Sequence, residues 1–495
     1  MSETDFPVTD FLNTPLSRIL ERRRAEAPGE HAVQLFHDAA ARVPAYRAFL
    51  EAHGFDPASV RSAADFSRVP LTTKENYMRA YPLPDRCWDG KLERCEMIAV
   101  SSGSTGVPLF WPRSIRHEME VAVRFEQVFH DSFQAADRST LAIVCFTMGT
   151  WVGGVFTANC LRYLAQKGYP ISVVTPGNNM QEILRCVQEL GPHFDQVALL
   201  GYPPFLKEVV DTGIARGIDC APFRVKMVMA GEVFSEEWRT LVGNRIGSTS
   251  PTTDFASIYG TADAGVLGNE TPLSISIRRF LSQQPELARG LFGESRLPTL
   301  VQYDPMSRYF ETSDGTLLFS GDSGVPLIRY HIADAGGVVP YDAMMTLFLE
   351  NAPDQNVAEG PIVREMPFVY VFGRSDFTVS YFGANIYPEN VTVGLEQPPI
   401  PEWVSGKFVL EVEENDDRNP VLSVVVELLP GVKPDDEKEE AIGRSIRANL
   451  ERLNSEFMHY TPAEYRTPRI TLAQAGDPDY FPAGVKHRYT RKPGA

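Results

Sequence analysis

The sequence predicts an α/β protein with a large N-terminal domain of layered sheets and helices and a small, mobile α+β C-terminal domain. Between residues 94 and 340, short apolar or β-branched runs alternate with helix-like segments, which is typical of a substantially parallel sheet. Beyond residue 376 the order changes to two strands, one long helix and a returning strand. We therefore predict two domains, residues 1–375 and 376–495.

Residues 1–90 are predicted to form a helical opening. Within residues 32–54, apolar side chains recur at steps of three and four, which indicates one buried helical face. These side chains are Val33, Phe36, Ala40 and Val43. In residues 70–75, PLTTKE, an interruption of the regular pattern is followed by a helix-start signal.

The remaining elements follow in order. Strands are predicted at 97–100, 141–146, 171–175, 196–200 and 226–230, with helices at 180–189 and 204–216. In the C-terminal domain, strands are predicted at 407–412, 421–428 and 469–472. The long helix at 435–458 carries one apolar stripe, formed by Ile442, Ile446, Leu450, Leu453 and Phe457.

The composition argues against several classes of function. Lys and Arg number 47 against 64 Asp and Glu, a net charge of −17, so we expect no binding to nucleic acid or to an anionic membrane surface. No apolar run reaches the roughly 18 residues of a membrane helix, and no secretory signal opens the chain. The scattered cysteines suit reduced thiols, so we expect a cytoplasmic protein without a transition-metal site.

A loop rich in hydroxyl groups lies between two predicted strands. Residues 101–108 read SSGSTGVP, and such a loop presents backbone N–H groups and hydroxyl donors that suit a polyphosphate. It is not a Walker loop, because no G-K-[ST] occurs in the chain. An ordinary Gly/Ser hairpin is the alternative.

Three other segments carry residues that could bind a nucleotide together with this loop. Residues 258–265, IYGTADAG, contain Tyr259, whose flat face suits a nucleobase, and Asp263, whose oxygens suit Mg²⁺. Asp334 ends a strand-like run and could accept hydrogen bonds from ribose hydroxyls. A cationic cluster at 484–488 stands out on an acidic chain. Taken alone, each segment could equally be an ordinary turn, strand end or tail.

In this order, the segments resemble the adenylate-forming superfamily of acyl- and aryl-CoA synthetases, most closely its phenylacetate–CoA ligase branch. The resemblance covers nearly the whole chain, from residues 43–47 and 70–74 to, weakly, Lys486. It implies that the hydroxyl-rich loop holds the β- and γ-phosphates of ATP. The positions that it implies for nucleotide binding are Ser102, Ser104, Thr105, Gly231, Glu232, Tyr259 and Gly260.

The same resemblance implies catalytic and hinge positions. Thr261 would meet the α-phosphate and Asp263 would bind Mg²⁺, while Asp334 and Arg374 would hold the ribose. Asp376 would be the hinge about which the small domain turns between two half-reactions. Lys486 would reach the α-phosphate and the carboxylate during adenylation, with Arg488 and Lys492 as its rivals.

Several positions depart from the family pattern. Val107 stands where the phosphate loop usually carries lysine, and Asp263 is one methylene shorter than the usual glutamate. His331 and Ala333 replace the commoner Arg and Gly. These changes leave nucleotide binding credible and leave the final acceptor open.

The acyl pocket is predicted from residues 146–156 and 201–203. Glycines beside aromatic rings leave a flat slot that suits an aromatic acid, although the rings could instead be ordinary core residues. The predicted pocket residues are Phe146, Gly149, Trp151, Gly154 and Tyr202.

Together these expectations describe an ATP- and Mg²⁺-dependent ligase that adenylates a small aromatic carboxylic acid and transfers it to coenzyme A. The main alternative keeps the adenylating chemistry with another oxyanion or acceptor, as in nitrite-dependent diazotisation of an aromatic amine, amide formation or cofactor adenylylation. A nucleotide-binding scaffold without activity is the third hypothesis. A homodimer is one assembly open to the chain.

Overall fold

The computed structural model describes residues 8–24, 27–101, 109–150, 152–231, 233–294, 297–352, 362–374, 379–382, 384–414, 420–454, 457–458, 461–482 and 489–490. Within these residues the chain forms N-terminal helices, one large mixed sheet flanked by helices, and a smaller sheet toward the C-terminus. The predicted α/β class is confirmed. Across the same residues, no helix is long and apolar enough to cross a membrane.

The N-terminal helices are α1 (Val8–Asn13), α2 (Leu16–Arg24), α3 (Pro28–Arg42), α4 (Pro44–Ala52) and α5 (Ala63–Phe66). The periodicity over residues 32–54 therefore belongs to two helices, because Pro44 has no N–H with which to continue α3 and instead begins α4. The side chains of Phe36, Val43 and Phe49 are still buried in one core.

An antiparallel hairpin follows, formed by β1 (Met97–Val100) and β2 (Phe110–Arg113). Val100 pairs with Phe110, so the two strands enter and leave the hydroxyl-rich loop side by side. Residues 102–108 of that loop lie outside the described residues.

The central part of the chain alternates helices with strands. Its elements are α6 (Ile115–Gln127), β3 (Thr140–Val144), α7 (Val152–Gln166), β4 (Ile171–Val174), α8 (Met180–Leu190), β5 (Gln196–Gly201), α9 (Pro203–Ala215), β6 (Lys226–Ala230), α10 (Glu236–Ile246), α11 (Pro251–Asp254) and β7 (Phe255–Thr261). Successive side chains of these strands alternate between two cores. Ala142 and Val144 face α6 and α7, whereas Leu141 and Ile143 face α8, α9 and α10.

The chain then forms β8 (Gly265–Asn269), α12 (Pro272–Ser282), α13 (Pro285–Phe292), β9 (Thr299–Gln302), β10 (Tyr309–Ser313), β11 (Thr316–Asp322), β12 (Pro326–Val339), α14 (Tyr341–Asn351) and β13 (Phe368–Arg374). The described strands of the large sheet have the order β10-β11-β12-β13-β9-β8-β7-β6-β5-β3-β4. Only the stretch from β7 to β4 is parallel; the rest is antiparallel. The expectation of a substantially parallel sheet holds for that part alone, because hairpins such as β7–β8 join antiparallel neighbours without a helical crossover.

The C-terminal elements are β14 (Val379–Tyr381), β15 (Ala384–Ile386), α15 (Pro388–Leu395), β16 (Val404–Glu414), β17 (Pro420–Leu428), α16 (Asp436–Leu453) and β18 (Arg469–Ala473). Helix α16 ends five residues before the predicted position 458, because Asn454 is extended and its side chain accepts a hydrogen bond from the N–H of Phe457. The side chains of Ile442, Ile446 and Leu450 are buried against the sheet as predicted. The domain boundary at residue 375 stays a prediction.

Polar contacts join the two parts of the chain along a seam, which we define as the contact of α9 and α10 with α15 and β16. The Lys207 ammonium lies 2.9 Å from Asp211 Oδ2 and donates to the Val404 carbonyl at 3.4 Å. The Ser235 hydroxyl donates to the Glu396 carboxyl group. Burial raises the pKa of Glu396 to about 8, so this carboxyl group keeps its proton at neutral pH.

Glu396→Gln should therefore change how stability depends on pH. The folded wild-type chain holds this proton up to about pH 8, whereas the unfolded chain releases it above its ordinary pKa of 4.5. The Glu396 contribution to the free energy of unfolding consequently falls as the pH rises between these values. In urea titrations, the variant should gain stability relative to the wild type as the pH rises through this interval. The matched substitution Glu402→Gln, at an exposed carboxylate, should show no such trend; a pH-independent difference for Glu396→Gln would contradict the prediction.

Candidate functional site

The tight turn between β7 and β8 carries Thr261 and Asp263. The Thr261 hydroxyl oxygen accepts the N–H of Ala264 at 3.0 Å and so closes the turn. Gly260 lies where the register of the two strands shifts, and a Cβ there would stand 2.8 Å from the Gly265 carbonyl oxygen. A side chain at residue 260 would therefore push the strands apart, which explains the glycine.

Buried side chains hold this turn from below. Arg113, at the end of β2, donates to the carbonyl of Ala262 and, at 3.2 Å, to that of Asp263. Arg308 donates to the carbonyl of Ala264 at 3.0 Å. Burial and the nearby Arg308 charge lower the pKa of Arg113 to about 9. Its guanidinium group is therefore still mostly charged at neutral pH. Arg113 thus joins the hairpin of the hydroxyl-rich loop to the turn that carries Asp263.

His117 of α6 is the third buried side chain beneath the turn. Burial, with the charges of Arg113 and Arg308, holds its pKa well below the usual range, so the imidazole is neutral. Its Nε2 lies 3.2 Å from the Ala264 carbonyl oxygen, which assigns the ring proton to that nitrogen. The ring also stacks on Phe156, with 5.5 Å between centroids.

The Asp263 carboxylate is 6% exposed and receives its protein contacts on one oxygen. The Tyr330 hydroxyl donates to Oδ2 at 2.7 Å, and the Lys74 ammonium lies 3.4 Å from the same atom. Among the described residues, none makes a hydrogen bond or ion pair with Oδ1. Within the described part of the chain, no residue therefore competes with a ligand for that oxygen.

A second tyrosine–carboxylate pair lies beside the first. The Tyr259 hydroxyl, on β7, donates to Asp334 Oδ2 at 2.6 Å, and Asp334 is 6% exposed. In the backbone register of β12 and β13, Asp334 stands opposite Arg374. The structure thus brings together three positions that the sequence assigned to adenine and ribose, and the Tyr259 hydroxyl fixes the Asp334 carboxylate.

Aromatic side chains and glycines line the predicted acyl slot. The rings of Phe146 and Tyr202 meet edge to face with 5.2 Å between centroids, and Phe146 is largely buried. Gly231 follows β6 with φ +85°, and a Cβ there would stand 2.7 Å from the Tyr202 ring. Gly154 packs equally closely, since its Cβ would stand 2.6 Å from the Thr147 carbonyl oxygen. Gly149 has φ +107° and open space around it.

The remaining predicted residues lie outside the described residues. They are Ser102, Ser104, Thr105, Val107, Trp151, Glu232, Asp376 and Lys486. In turn, sequence reasoning missed Lys74, Tyr330 and the buried group beneath the turn. Lys74 and Tyr330 lie in segments that carry the family resemblance. Membership of those segments was the signal that could have pointed to them. Arg113 and His117 carried no local signal.

The carboxylate of Asp263 fits Mg²⁺ as a ligand. In the described part of the chain, no three His, Cys, Asp or Glu side chains are grouped closely enough to hold a metal ion. Mg²⁺ is commonly bound by one or two carboxylates together with phosphate oxygens and waters. A carboxylate whose Oδ1 has no bonding partner among the described residues satisfies the protein's share of that requirement.

The sequence comparisons identify relatives of one kind. No protein-family model matches the chain. Over 442 residues it is 22% identical to a phenylacetate–coenzyme A ligase of Aromatoleum evansii, which covers 88% of this chain and 87% of that enzyme. A phenylacetate–coenzyme A ligase of Thermus thermophilus is 23% identical over 355 residues, covering 71% and 70%. The chain is similar to phenylacetate–coenzyme A ligases. The predicted resemblance is confirmed.

The comparison of structures agrees with the sequence relatives. 2-Hydroxyisobutyryl-CoA ligase, solved in the post-adenylation state with 2-HIB-AMP, matches with a TM-score of 0.63 at 15% identity, over 95% of this chain and 90% of that chain. The same ligase in the thioesterification state matches with a TM-score of 0.53 at 15% identity, over 99% and 94%. This chain therefore has the fold of that ligase. The prediction of an adenylate-forming ligase is confirmed at the level of enzyme class.

Gly231→Ala tests the close packing of Gly231 against the Tyr202 ring. The variant must accept φ +85° and a Cβ 2.7 Å from Tyr202, whereas Gly217→Ala accepts φ +80° with nothing within 4 Å. Positive φ costs each variant about 1–2 kcal/mol, and overpacking adds about 1–3 kcal/mol at residue 231. Urea unfolding should rank wild type above Gly217→Ala and Gly217→Ala above Gly231→Ala. Equal losses would show that Tyr202 moves aside freely.

Proposed function

We propose that the chain activates a small carboxylic acid with ATP, forming an acyl-adenylate and pyrophosphate, and then transfers the acyl group to coenzyme A. One observation carries the proposal. The Tyr259–Asp334 pair and the Asp263 carboxylate lie together, near the carboxyl ends of the parallel strands that also lead to the aromatic slot. Open α/β sheets bind their ligands at such strand ends.

The nucleotide end of the site is assigned from these contacts. We assign the Tyr259 ring to the adenine and the Asp334 carboxylate, with Arg374 opposite it in the strand register, to the ribose hydroxyls. The Thr261 oxygen already accepts an N–H, so its own hydrogen remains free to donate to the α-phosphate. Ser102, Ser104 and Thr105 are proposed to hold the outer phosphates.

Asp263 would hold Mg²⁺ through Oδ1. When bound, Mg²⁺ neutralises phosphate charge as the acid attacks. The chain contributes the fixed position of the carboxylate, because Tyr330 and Lys74 both contact Oδ2 and Arg113 holds the backbone of Asp263. This support is relevant because Asp263 is shorter than the usual glutamate of the family.

The acid is proposed to be aromatic. Edge-to-face contact of Phe146 with Tyr202, and the open space at Gly149, support a flat slot in which a ring could lie. We further propose that Lys486 assists adenylation and that Asp376 is the hinge between the half-reactions.

A second candidate retains adenylation but changes the oxyanion or the acceptor. The observation that favours it is the Asp263 site itself, where a shorter carboxylate is paired with Lys74. A different metal position there could accompany a different reaction, such as activation of nitrite or formation of an amide.

Two partial reactions test the proposal. Exchange of labelled pyrophosphate into ATP, measured across a panel of aromatic and aliphatic carboxylic acids and with nitrite plus an aminophenol acid, reports which oxyanion is activated. Loss of free thiol on adding coenzyme A reports the acceptor. We expect exchange to be highest with an aromatic acid and to be followed by thiol loss. Exchange without thiol loss would support the second candidate. ATP binding without any exchange would support the scaffold hypothesis.

Tyr259→Phe tests the assignment of the ribose site. The variant keeps the ring for adenine but loses the hydrogen bond that fixes Asp334. A lost hydrogen bond to a charged group is worth about 1.5–3 kcal/mol, so we expect AMP to bind roughly 10- to 100-fold more weakly by calorimetry. The preference for AMP over its 2′,3′-dideoxy analogue should shrink at the same time.

Tyr169→Phe is the matched control for this experiment. It also removes one tyrosine–carboxylate hydrogen bond, to Glu126, at a position outside the site. AMP affinity should remain at the wild-type value. If both variants bind AMP equally well, Asp334 does not hold the ribose.

A further inference from the structure

A segment of the N-terminal region is fastened to β12 beside the candidate site. The N–H of Thr72 donates to the Arg329 carbonyl at 3.2 Å, and the N–H of His331 donates to the Thr72 carbonyl at 2.9 Å. The Thr72 hydroxyl adds a hydrogen bond to the Ile328 carbonyl at 2.8 Å, and the residue is completely buried. These bonds bracket Tyr330, so the segment is positioned by the same strand that carries a partner of Asp263.

Lys74 follows directly from this attachment. Thr73 and Asn76 exchange hydrogen bonds of 2.7 and 3.0 Å, which fixes the start of the π-helical turn Lys74–Met78. The Lys74 side chain is 18% exposed, and its ammonium lies 3.4 Å from Asp263 Oδ2. The ammonium therefore reaches the edge of the site from a backbone that is held on both sides.

The other cations described around Asp263 are buried beneath the turn. Arg113 and Arg308 are buried, with 0% and 2% of their surface exposed, and they donate to carbonyl groups beneath the turn. Lys74 instead has three donor hydrogens and one neighbouring carboxylate oxygen, so donors remain for a second anion. Its ammonium pairs with Oδ2, while Oδ1 of the same carboxylate has no bonding partner among the described residues.

We propose that Lys74 is a binding residue for the outer phosphates of the nucleotide. The inference rests on the proposed function, because it needs a nucleotide whose phosphates lie beside Asp263. If Asp263 held Mg²⁺, the chain would offer the phosphates two cations, the metal ion at this carboxylate and the ammonium of Lys74. The N-terminal region would in this way supply the cation that the hydroxyl-rich loop lacks, since that loop carries Val107.

This position gives Lys74 a role in the chemical step. A carboxylate oxygen of the acid forms a bond to the α-phosphorus, and the bond from that phosphorus to the bridging oxygen of the β-phosphate breaks. Pyrophosphate leaves with the electron pair of the broken bond, and no proton needs to move. An ammonium group beside the leaving oxygens stabilises their growing charge more than it stabilises bound ATP.

The test compares two nucleotides that differ only in the outer phosphates. Calorimetry would measure the binding of MgATP and of AMP to the wild-type chain, Lys74→Met, Lys74→Arg and Lys91→Met. Methionine keeps the apolar stem of lysine and removes the charge; Lys91 is an exposed lysine of the same region and serves as the control. Thermal unfolding of each variant would verify that the chain is folded.

We expect Lys74→Met to weaken MgATP binding about 10- to 100-fold, as for a lost charge-assisted contact, and to leave AMP binding at the wild-type value. Lys74→Arg should recover part of the MgATP affinity, and Lys91→Met should change neither nucleotide. At saturating MgATP, the rate of pyrophosphate exchange by Lys74→Met should fall by a larger factor than its affinity for MgATP.

Three results would overturn the inference. Unchanged MgATP affinity in Lys74→Met would show that Lys74 does not contact the phosphates. Equal weakening of MgATP and AMP would show that it only supports the fold around Asp263. A wild-type chain that binds neither nucleotide would reject the proposed function itself, and the assignment of Lys74 with it.

Discussion

The candidate site depends on hydrogen bonds from buried guanidinium groups to the carbonyls of one turn. Arg113 and Arg308 lie close enough for the charge of Arg308 to lower the pKa of Arg113. They are kept together because the carbonyl oxygens of residues 262–264 accept hydrogen bonds from both. An unsatisfied buried charge would cost several kcal/mol. The turn, the hairpin β1–β2 and the strand pair β7–β8 therefore have to assemble as one unit, and Asp263 takes its position from that assembly.

Two tyrosine–carboxylate pairs link β7 and its following turn to β12 in opposite directions. Tyr259 of β7 bonds Asp334 of β12, and Tyr330 of β12 bonds Asp263 after β7. The two strands are not neighbours in the sheet, so these side chains connect strands that share no backbone hydrogen bonds. Each hydroxyl also fixes a carboxylate that would otherwise rotate, which prepares both acids for a ligand before it binds.

Local sequence patterns predicted the ends of many helices and strands to within one or two residues. They failed where strand pairing or helix capping decided the structure. The strands Met97–Val100 and Lys226–Ala230 coincide with their predictions because each is a short run of mainly apolar residues, a pattern typical of a strand. The predicted end of the long C-terminal helix was wrong, because the cap at Asn454 outweighs the apolar stripe. The antiparallel half of the sheet was missed because strand partners are chosen between distant segments.

By itself, the sequence determined the type and order of the elements and the ordered motifs that carry the resemblance, since both are properties of neighbouring residues. It also singled out Tyr259, Asp263 and Asp334. Only the tertiary structure decided that Lys74 and Tyr330 meet on one oxygen of Asp263 and that Arg113 lies beneath it. These contacts join residues far apart in the chain, and their existence depends on distances of about 3 Å that no local periodicity encodes.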